Sequence, residues 1–496
     1  MRQPFSPMNL LDQIDHWGRI APGRIAHRSA GGELSYGELL RLSDALASRL
    51  ESDLGSDRRP IAVHGHKEPG MLVAFLGIVK SGRPYVPIDS GLPSLRVMRI
   101  LEGAGASRVL TPDAVLPLCT GENRPLPRMG PSDPFYILFT SGSTGQPKGV
   151  TITLANLQHF TGWLQGEHLF APGEGFLNQA PFSFDLSVMD LYGSLASGGT
   201  LVSITREEVA NGKLLYAALA SSEIVNWVST PSFVQMCLVE RTFAQGMLPH
   251  LRRFLFCGET LAPETAAQLL ERFPKAEVWN TYGPTEATVA TTSIRVDDTV
   301  LAAHPVLPVG AAMPGTQLFI RGEDGARMPE GERGEIIIAG PNVSPGYLGR
   351  PDLTERAFFE HEGHRAYRTG DWGRERAGLF FFEGRMDDQV KVNGYRIELG
   401  DLEANLRALP EIADAVVLPV EKSGRTDSLV AFVVLAGKRV ESQSDFQLTA
   451  ALKTRLGERV PAYMVPRKFF YLEAFPMTPN GKADRRALAD RLMGKV

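Results

Sequence analysis

The sequence predicts an α/β protein: a large N-terminal domain of layered α/β subdomains plus a β-rich subdomain, followed by a small α+β C-terminal domain. Three observations predict this. At 496 residues the chain is too long for one hydrophobic core. Helical and strand-like patterns alternate along its first half, as they do where helices cover largely parallel sheets. From about residue 305 to 382 the texture changes to short strands between Gly and Pro turns, and a compact unit with its own helices and strands follows.

Residues 36–50 carry apolar side chains at helical spacing, with Ser35 placed to cap the start. Residues 60–64 read as a short strand, 71–79 as a buried helix and 84–87 as a short extended piece. Tyr136-Ile137-Leu138-Phe139 reads as a buried strand. Further strands fall at 199–204, 224–229, 254–257 and 277–279, with helical segments between them. Ligands in such sheets sit in the crevice at the strands' carboxyl ends, where most polar loops of this chain fall. GEIIIAG, PGYLG, YRTGDWGR and GLFFFEGR supply the β-rich stretch. The segment 384–394, GRMDDQVKVNG, is charged and bracketed by glycine, which suits a hinge. Beyond it, 401–408 reads as helix, 415–420 and 429–434 as strands, 444–456 as helix and 468–472 as strand. Ser444 with Gln447 forms a capping box, and Leu448, Leu452 and Leu456 make one stripe.

Bulk properties exclude several function classes. Net charge is −4, from 52 basic and 56 acidic residues, so no electrostatic case exists for nucleic acid or an acidic membrane. The longest apolar run, 71–79, is too short to span a bilayer. The N-terminal MRQPFSPMNLLDQIDHWG lacks the apolar block of a signal peptide, and a cytoplasmic enzyme is the expectation. Cys119, Cys237 and Cys257 are widely spaced with no C-x-x-C, so neither a disulfide framework nor a zinc site is expected. The ten histidines show no metal-ligand spacing.

One stretch carries the strongest chemical signal. In YILFTSGSTGQPKGV, residues 136–150, the strand runs into Thr140, Ser141, Ser143 and Thr144, with Gly142 and Gly145, and then Pro147, Lys148 and Gly149. Glycines let backbone N–H groups approach an anion, hydroxyls add donors, and the lysine adds charge. The stretch reads as a phosphate-gripping loop. It differs from the common P-loop, because Pro147 occupies that motif's second Gly position. An ordinary Ser/Gly turn is the weaker alternative.

Five further segments are weak alone. Asn280-Thr281-Tyr282-Gly283-Pro284-Thr285-Glu286 offers a ring to stack on a base, a hydroxyl, and an oxygen ligand for Mg²⁺; alone it reads better as a Gly-Pro turn with an exposed acid. Tyr367-Arg368-Thr369-Gly370-Asp371 places a carboxylate where ribose hydroxyls can be bound, or is simply an Asx-turn. Glu383-Gly384-Arg385 gives an arginine for ribose or phosphate, or a solvated charge. Pro479-Asn480-Gly481-Lys482 puts Lys482 at a turn tip, where most lysines are solvated. In APFSFDLS, Asp185 lies among aromatics and needs a cation, either a substrate ammonium or a buried Arg or Lys.

The joint occurrence of these segments, in this order, resembles the adenylate-forming superfamily of amino-acid-activating domains, acyl-CoA synthetases and luciferases. GIVKSGRPYVPID, FTSGSTGQPKGV, FSFDLSVMDLY, NTYGPTEATVA, GRMDDQVKVNGYRIELGDLE and PMTPNGKADRRAL match its signature segments over essentially the whole length. STPSFVQMCL, FLFCGETL and VPAYMVPRKFFYLEAFPMTPNGK are similar to the branch that ligates D-alanine to a D-alanyl carrier protein for cell-envelope polymers of the lipoteichoic acid type. Three departures stand beside this: a hinge region closer to peptide-synthetase domains, Gly193 after Tyr192 where proline is common, and a chain rich in Arg and Ala.

The resemblance implies two half-reactions: ATP-dependent formation of an aminoacyl-AMP, then transfer to the phosphopantetheine thiol of an acyl carrier protein. Carried over by position, Thr140, Ser141, Thr144 and Lys148 line the phosphate loop. Tyr282 stacks on adenine within Asn280, Thr281, Gly283, Pro284 and Thr285, and Glu286 holds Mg²⁺. Asp371 takes the ribose hydroxyls beside Phe382, Glu383, Gly384 and Arg385. Asp185 pairs with the substrate ammonium. Leu186, Met189, Leu255, Cys257, Thr281, Val289 and Ala290 shape a small pocket, with Cys257 suiting it to the D-enantiomer. Lys482 bridges the substrate carboxylate and the α-phosphate. Asp387 is the hinge, dividing a core of residues 1–386 from a mobile lid of 387–496. Rival readings are a stand-alone adenylation enzyme for glycine, serine or proline, an acyl- or aryl-CoA synthetase, which leaves Asp185 unpaired, and a non-catalytic nucleotide sensor.

Overall fold

The structure is a computed structural model. It describes residues 8–119, 126–142, 146–392, 394–422, 425–437, 444–478 and 483–492. By internal contacts the chain divides into two units: Met1–Ser90 with Leu101–Phe139 and Gly149–Met386, and Gly91–Ile100 with Thr140–Lys148 and Asp387–Val496.

The first unit is α/β. A nine-stranded sheet runs, in spatial order, Ala311–Ala312, Thr292–Val296, Glu277–Tyr282, Arg253–Phe256, Ile224–Ser229, Gly175–Asn178, Thr200–Ser203, Ile25–Ser29 and Gly32–Ser35. Its central pairs are parallel and its edges antiparallel. Parallel strands must be covered on both faces, and the helices between them are correspondingly apolar. In Pro69–Lys80 every residue from Met71 to Lys80 is buried, and in Leu186–Ser197 every residue is. A six-stranded sheet orders Gly346–Tyr347, Lys148–Thr153, Pro134–Thr140, Tyr85–Asp89, Ile61–Gly65 and Arg108–Leu110. The β-rich stretch forms a five-stranded antiparallel sheet of Gln317–Arg321, Gly334–Ala339, His364–Arg376, Phe358–His361 and Leu379–Arg385.

The second unit contains the helix Leu399–Arg407, a three-stranded sheet of Ile412–Lys422, Arg425–Leu435 and Lys468–Leu472, and the helix Asp445–Gly457. The expected capping box is present, Ser444 and Gln447 bonding reciprocally. Leu448, Leu452 and Leu456 are buried in one core cluster that also holds Leu402, Leu406 and Ala431.

Two expectations need correction. The strand expected to end at Trp279 continues to Tyr282, because Thr281 and Tyr282 pair antiparallel with Ser293 and Thr292. The segment expected as one hinge from 384 to 394 is mostly strand: Leu379–Arg385 runs into its first two residues and Gln389–Val392 pairs with Tyr395–Glu398. Val390↔Ile397 registers two apolar residues across that hairpin, and Ile397 is fully buried. Among the described residues of the segment, Met386, Asp387, Asp388 and Gly394 stay outside regular structure. Among the described residues no helix is long and apolar enough to cross a membrane.

Candidate active site

The parallel strands of the first unit deliver their polar loops at one edge, as the alternation of elements requires. Gly175–Asn178 leads to Asp185, Arg253–Phe256 leads directly to Cys257, and Glu277–Tyr282 leads to Gly283-Pro284-Thr285-Glu286. Gly283 is required by packing: a Cβ there would lie 2.6 Å from the Ala290 Cα.

These loops meet. The Thr285 hydroxyl donates to Asp185 Oδ2 at 2.6 Å. Asp185 opens the helix Leu186–Ser197 in helical conformation and makes no side-chain cap bond, so its carboxylate is turned to other partners. Glu286 is fully buried and accepts from the Tyr347 hydroxyl on Oε1 at 2.7 Å. Cys257 is 3 % exposed, and its Sγ lies 3.6 Å from the Val289 carbonyl. Leu186, Met189, Leu255, Val289 and Ala290 join Cys257 in one apolar cluster. Thr281 turns its hydroxyl to the Phe256 carbonyl at 2.8 Å, and Asn280 donates to the Pro308 carbonyl at 2.8 Å.

A second constellation surrounds Asp371. The Tyr282 hydroxyl donates to Oδ2 at 2.5 Å, and Arg385 Nη1 donates to Oδ1 at 2.6 Å and to the Thr369 carbonyl at 2.7 Å. Burial, with the Asp371 charge beside it, holds the Tyr282 phenol well above its ordinary range, so it remains a donor. A carboxylate has about four lone-pair sites, so Asp371 retains capacity for further donors. The Phe382 ring lies 6.2 Å from that of Tyr282 at 35°. Glu383 pairs with Arg374 and Arg333 at the sheet surface, and Gly384 turns with φ 106°.

The second unit contains Thr140, Ser141, Lys148 and Asp387. A Cβ on Gly142 would overlap the Gln146 carbonyl, so glycine is needed for that approach. The Thr140 Oγ1 is buried and has no hydrogen-bond partner among the described residues. Ser141 Oγ donates to the Arg396 carbonyl at 2.9 Å and accepts from the Glu398 N–H at 3.2 Å. Burial raises the Glu398 carboxyl, and the Lys148 charge opposes that shift. Thr144 and Lys482 lie outside the described residues.

Sequence reasoning missed the supports of these groups. Tyr347 sits in the quoted PGYLG, but nothing local ties it to Glu286, 61 positions away. Asn342, fully buried, bonds Ala287, Thr288 and Thr291 of the 286–291 turn and also Thr316. Behind Asp185 lies a buried polar chain. His27 meets Ser203 at 2.9 Å, Ser203 donates to Asn178 at 2.8 Å, and Asn178 donates to Asp190 at 2.9 Å. Lys67 Nζ donates to the Asn178 and Gln179 carbonyls at 2.7 and 2.8 Å.

The protein-family model described as AMP-binding enzyme matches residues 14–348, and the AMP-binding enzyme C-terminal domain matches 401–482. The chain belongs to the AMP-binding enzyme family. Named relatives agree. It is 48 % identical to the D-alanine–D-alanyl carrier protein ligase of Bacillus cereus strain B4264 over 97 % of this chain and 99 % of that protein. It is 47 % identical to the ligase of the same name from Bacillus anthracis, with the same coverage. Among solved structures, the Vibrio cholerae adenylation domain AlmE in complex with glycyl-adenosine-5′-phosphate superposes with TM-score 0.83 at 23 % identity, covering 100 % of this chain and 99 % of that one. Holo-PA1221, a protein containing adenylation and PCP domains, superposes with TM-score 0.82 at 27 % identity, covering 97 % and 84 %. Asp185 and Glu286 lie within the residues that the AMP-binding enzyme model matches.

Proposed function

We propose that this chain activates D-alanine with ATP as D-alanyl-AMP and transfers it to the phosphopantetheine thiol of a D-alanyl carrier protein. The observation that carries this is near-half identity along the full length of ligases of that name. The contact of Cys257 Sγ with the Val289 carbonyl and the bond from Thr285 to Asp185 support it.

In the first half-reaction a carboxylate oxygen of D-alanine attacks the α-phosphorus. The bond to the bridging oxygen breaks, and pyrophosphate leaves. In the second, the pantetheine sulfur attacks the acyl carbon and AMP leaves. No covalent protein intermediate is needed, so the protein works by positioning and charge neutralisation. Asp185 holds the ammonium, with Thr285 fixing its rotamer. Asp371 takes the ribose hydroxyls, pre-oriented by Tyr282 and Arg385. Tyr282 and Phe382 flank the adenine. Thr140, Ser141, Thr144 and Lys148 receive the phosphates that depart, and the unpartnered Thr140 hydroxyl suits such an acceptor. Lys482 neutralises charge at the α-phosphate.

Mg²⁺ fits the first unit's residues. Glu286 is a buried, hard oxygen donor, and Mg²⁺ is usually held by one or two carboxylates with substrate phosphates completing its shell. When bound, Mg²⁺ neutralises phosphate charge; Tyr347 orients the carboxylate for it. The setting is cytoplasmic, and the product serves D-alanylation of a cell-envelope polymer of the lipoteichoic acid type.

The test is exchange of labelled pyrophosphate into ATP with D-alanine, L-alanine, glycine, D- and L-serine and L-proline. Intact mass of a phosphopantetheinylated carrier protein then reads the second step. D-Alanine is expected to give the fastest exchange and one added alanyl group. Faster exchange with glycine, serine or proline would make the chain a stand-alone adenylation enzyme for that acid.

A further inference from the structure

The turn after Glu286 is strained in a way its sequence does not explain. Thr288 has φ 57° and Val289 φ 71°, two successive β-branched residues in the left-handed region. Such conformations cost on the order of 1–3 kcal/mol each and persist only where the surroundings over-determine them. Glycine would adopt both freely. The chain keeps side chains there, and the carbonyl of Val289 lies 3.6 Å from Cys257 Sγ.

Asn342 supplies the constraint. It lies in the turn after the strand Gly334–Ala339 and is fully buried. Its backbone carbonyl accepts from the Thr288 hydroxyl at 2.7 Å. Its amide nitrogen donates to the Ala287 carbonyl at 3.0 Å and to the Thr291 hydroxyl at 3.1 Å. Its amide oxygen accepts from the Thr316 hydroxyl at 2.8 Å. Both amide hydrogens and the oxygen are therefore engaged, and the Ala287 carbonyl, which can only accept, fixes which way the amide faces. Two residues on, the Ser344 N–H donates to the Glu286 carbonyl at 2.9 Å. A segment of the β-rich subdomain thus grips the turn on both sides of Thr288 and Val289.

The consequence reaches the pocket. With the turn held, the Val289 carbonyl lies against Cys257 Sγ and the Val289 side chain packs in the cluster with Met189 and Leu255. If the turn relaxes to ordinary dihedrals, the Val289 side chain and carbonyl exchange directions. The space beside Cys257 then changes shape, while Asp371 and Arg385 are untouched. We propose that Asn342 is a positioning residue for substrate selectivity: it holds Thr288 and Val289 in the strained turn that shapes the amino-acid pocket. This rests on the reading that Cys257 and Val289 line that pocket.

The experiment compares Asn342→Ala, Thr288→Val and Thr288→Ser by pyrophosphate exchange, with D- and L-alanine and with KM for amino acid and ATP measured separately. In Asn342→Ala and Thr288→Val the D-over-L ratio of kcat/KM is expected to fall about 10-fold, equivalent to about 1.4 kcal/mol. KM for the amino acid rises while KM for ATP stays within about twofold. Thr288→Ser, which keeps the hydroxyl, retains the wild-type ratio. A purely structural role would lower the melting temperature and depress both enantiomers alike, and that result overturns the proposal. Should Asn342→Ala fail to fold, the Thr288→Val and Thr288→Ser pair decides. If the wild type prefers an acid other than D-alanine, the substrate reading fails. The same variants are then compared on that acid and its best competitor, where an unchanged ratio overturns the role of Asn342.

Discussion

His168 ends the helix Leu154–His168 packed 5.5 Å from Phe170 and edge-on to Trp279 at 4.7 Å. It is 4 % exposed, and neither ring nitrogen has a hydrogen-bond partner among the described residues. Burial, with the Arg253 charge adding to it, pushes its pKa down to about 3. The folded chain then binds fewer protons at this site than the unfolded chain between pH 6.5 and 3. Stability tied to His168 is present above pH 6.5 and is lost as pH falls through that window. His168→Phe keeps a ring among rings and removes the titration. We expect it to raise the melting temperature, with a gain about 1.4 kcal/mol larger at pH 5.5 than at pH 8. Thermal melts at the two pH values check this, and an equal gain at both refutes it. Nothing in the sequence marked this histidine out, because its neighbours Trp279 and Arg253 arrive from distant strands. Asp185 was legible for the opposite reason: its aromatic flanks are adjacent in sequence, and the need for a cation follows from them.

At the scale of elements, the helix that carries Asp185 is fixed from behind. Leu186–Ser197 is buried along its whole length, and its one acid, Asp190, meets Asn178 at the end of the neighbouring strand. Lys67 closes the same strand end by donating to the Asn178 and Gln179 carbonyls. Burial pushes Lys67 down to about 7, opposed by Asp190, and raises the Asp190 carboxyl well above its usual range. Between pH 7 and 9 the unfolded chain keeps a proton on this lysine that the folded chain releases, so stability rises with pH by up to about 1.4 kcal/mol per unit from this group. Lys67→Met removes the donor of the half-buried Gln179 carbonyl, while the Asn178 carbonyl keeps the Ile204 N–H at 3.1 Å. The expected loss is about 1–3 kcal/mol, with the pH 7–9 rise abolished. Urea midpoints at pH 7, 8 and 9 test both parts; a variant that keeps the wild-type rise would remove Lys67 from this account. Elements whose cause is local were legible: Ser35 as a cap, Ser444 with its reciprocal Gln447, and the Leu448, Leu452, Leu456 stripe. Those set by pairing were not. Tyr282 belongs to a strand because Thr292 lies opposite it, and the glycine-bracketed 384–394 segment is mostly strand because Val390 finds Ile397.

For the molecule as a whole, the last of the chain's five passages between the two units lies between Met386 and Asp387. The Met386 N–H donates to the Gly370 carbonyl in the first unit at 2.8 Å. In the second, the Gln389 N–H donates to Asp387 Oδ1 at 3.2 Å. Met386, Asp387 and Asp388 lie outside regular structure at this passage, so their torsions are not held by a strand or helix ladder. Two chemical steps at one active site ask for such freedom: the group that neutralises the α-phosphate must be present for adenylation and out of the way of the pantetheine arm for transfer. We propose that a rotation about Asp387 makes the exchange. Proline fixes φ near −65° and restricts the residue before it, so Asp387→Pro confines the hinge to a narrow range. Pyrophosphate exchange with D-alanine is expected to stay within about threefold of wild type while carrier-protein thioester formation falls 10-fold or more, equivalent to at least about 1.4 kcal/mol in the barrier. Loading of the carrier at the wild-type rate would show that no rotation at this residue separates the two steps. An equal fall in both steps, with a lowered melting temperature, would place the damage in folding and count against Asp387 as the hinge.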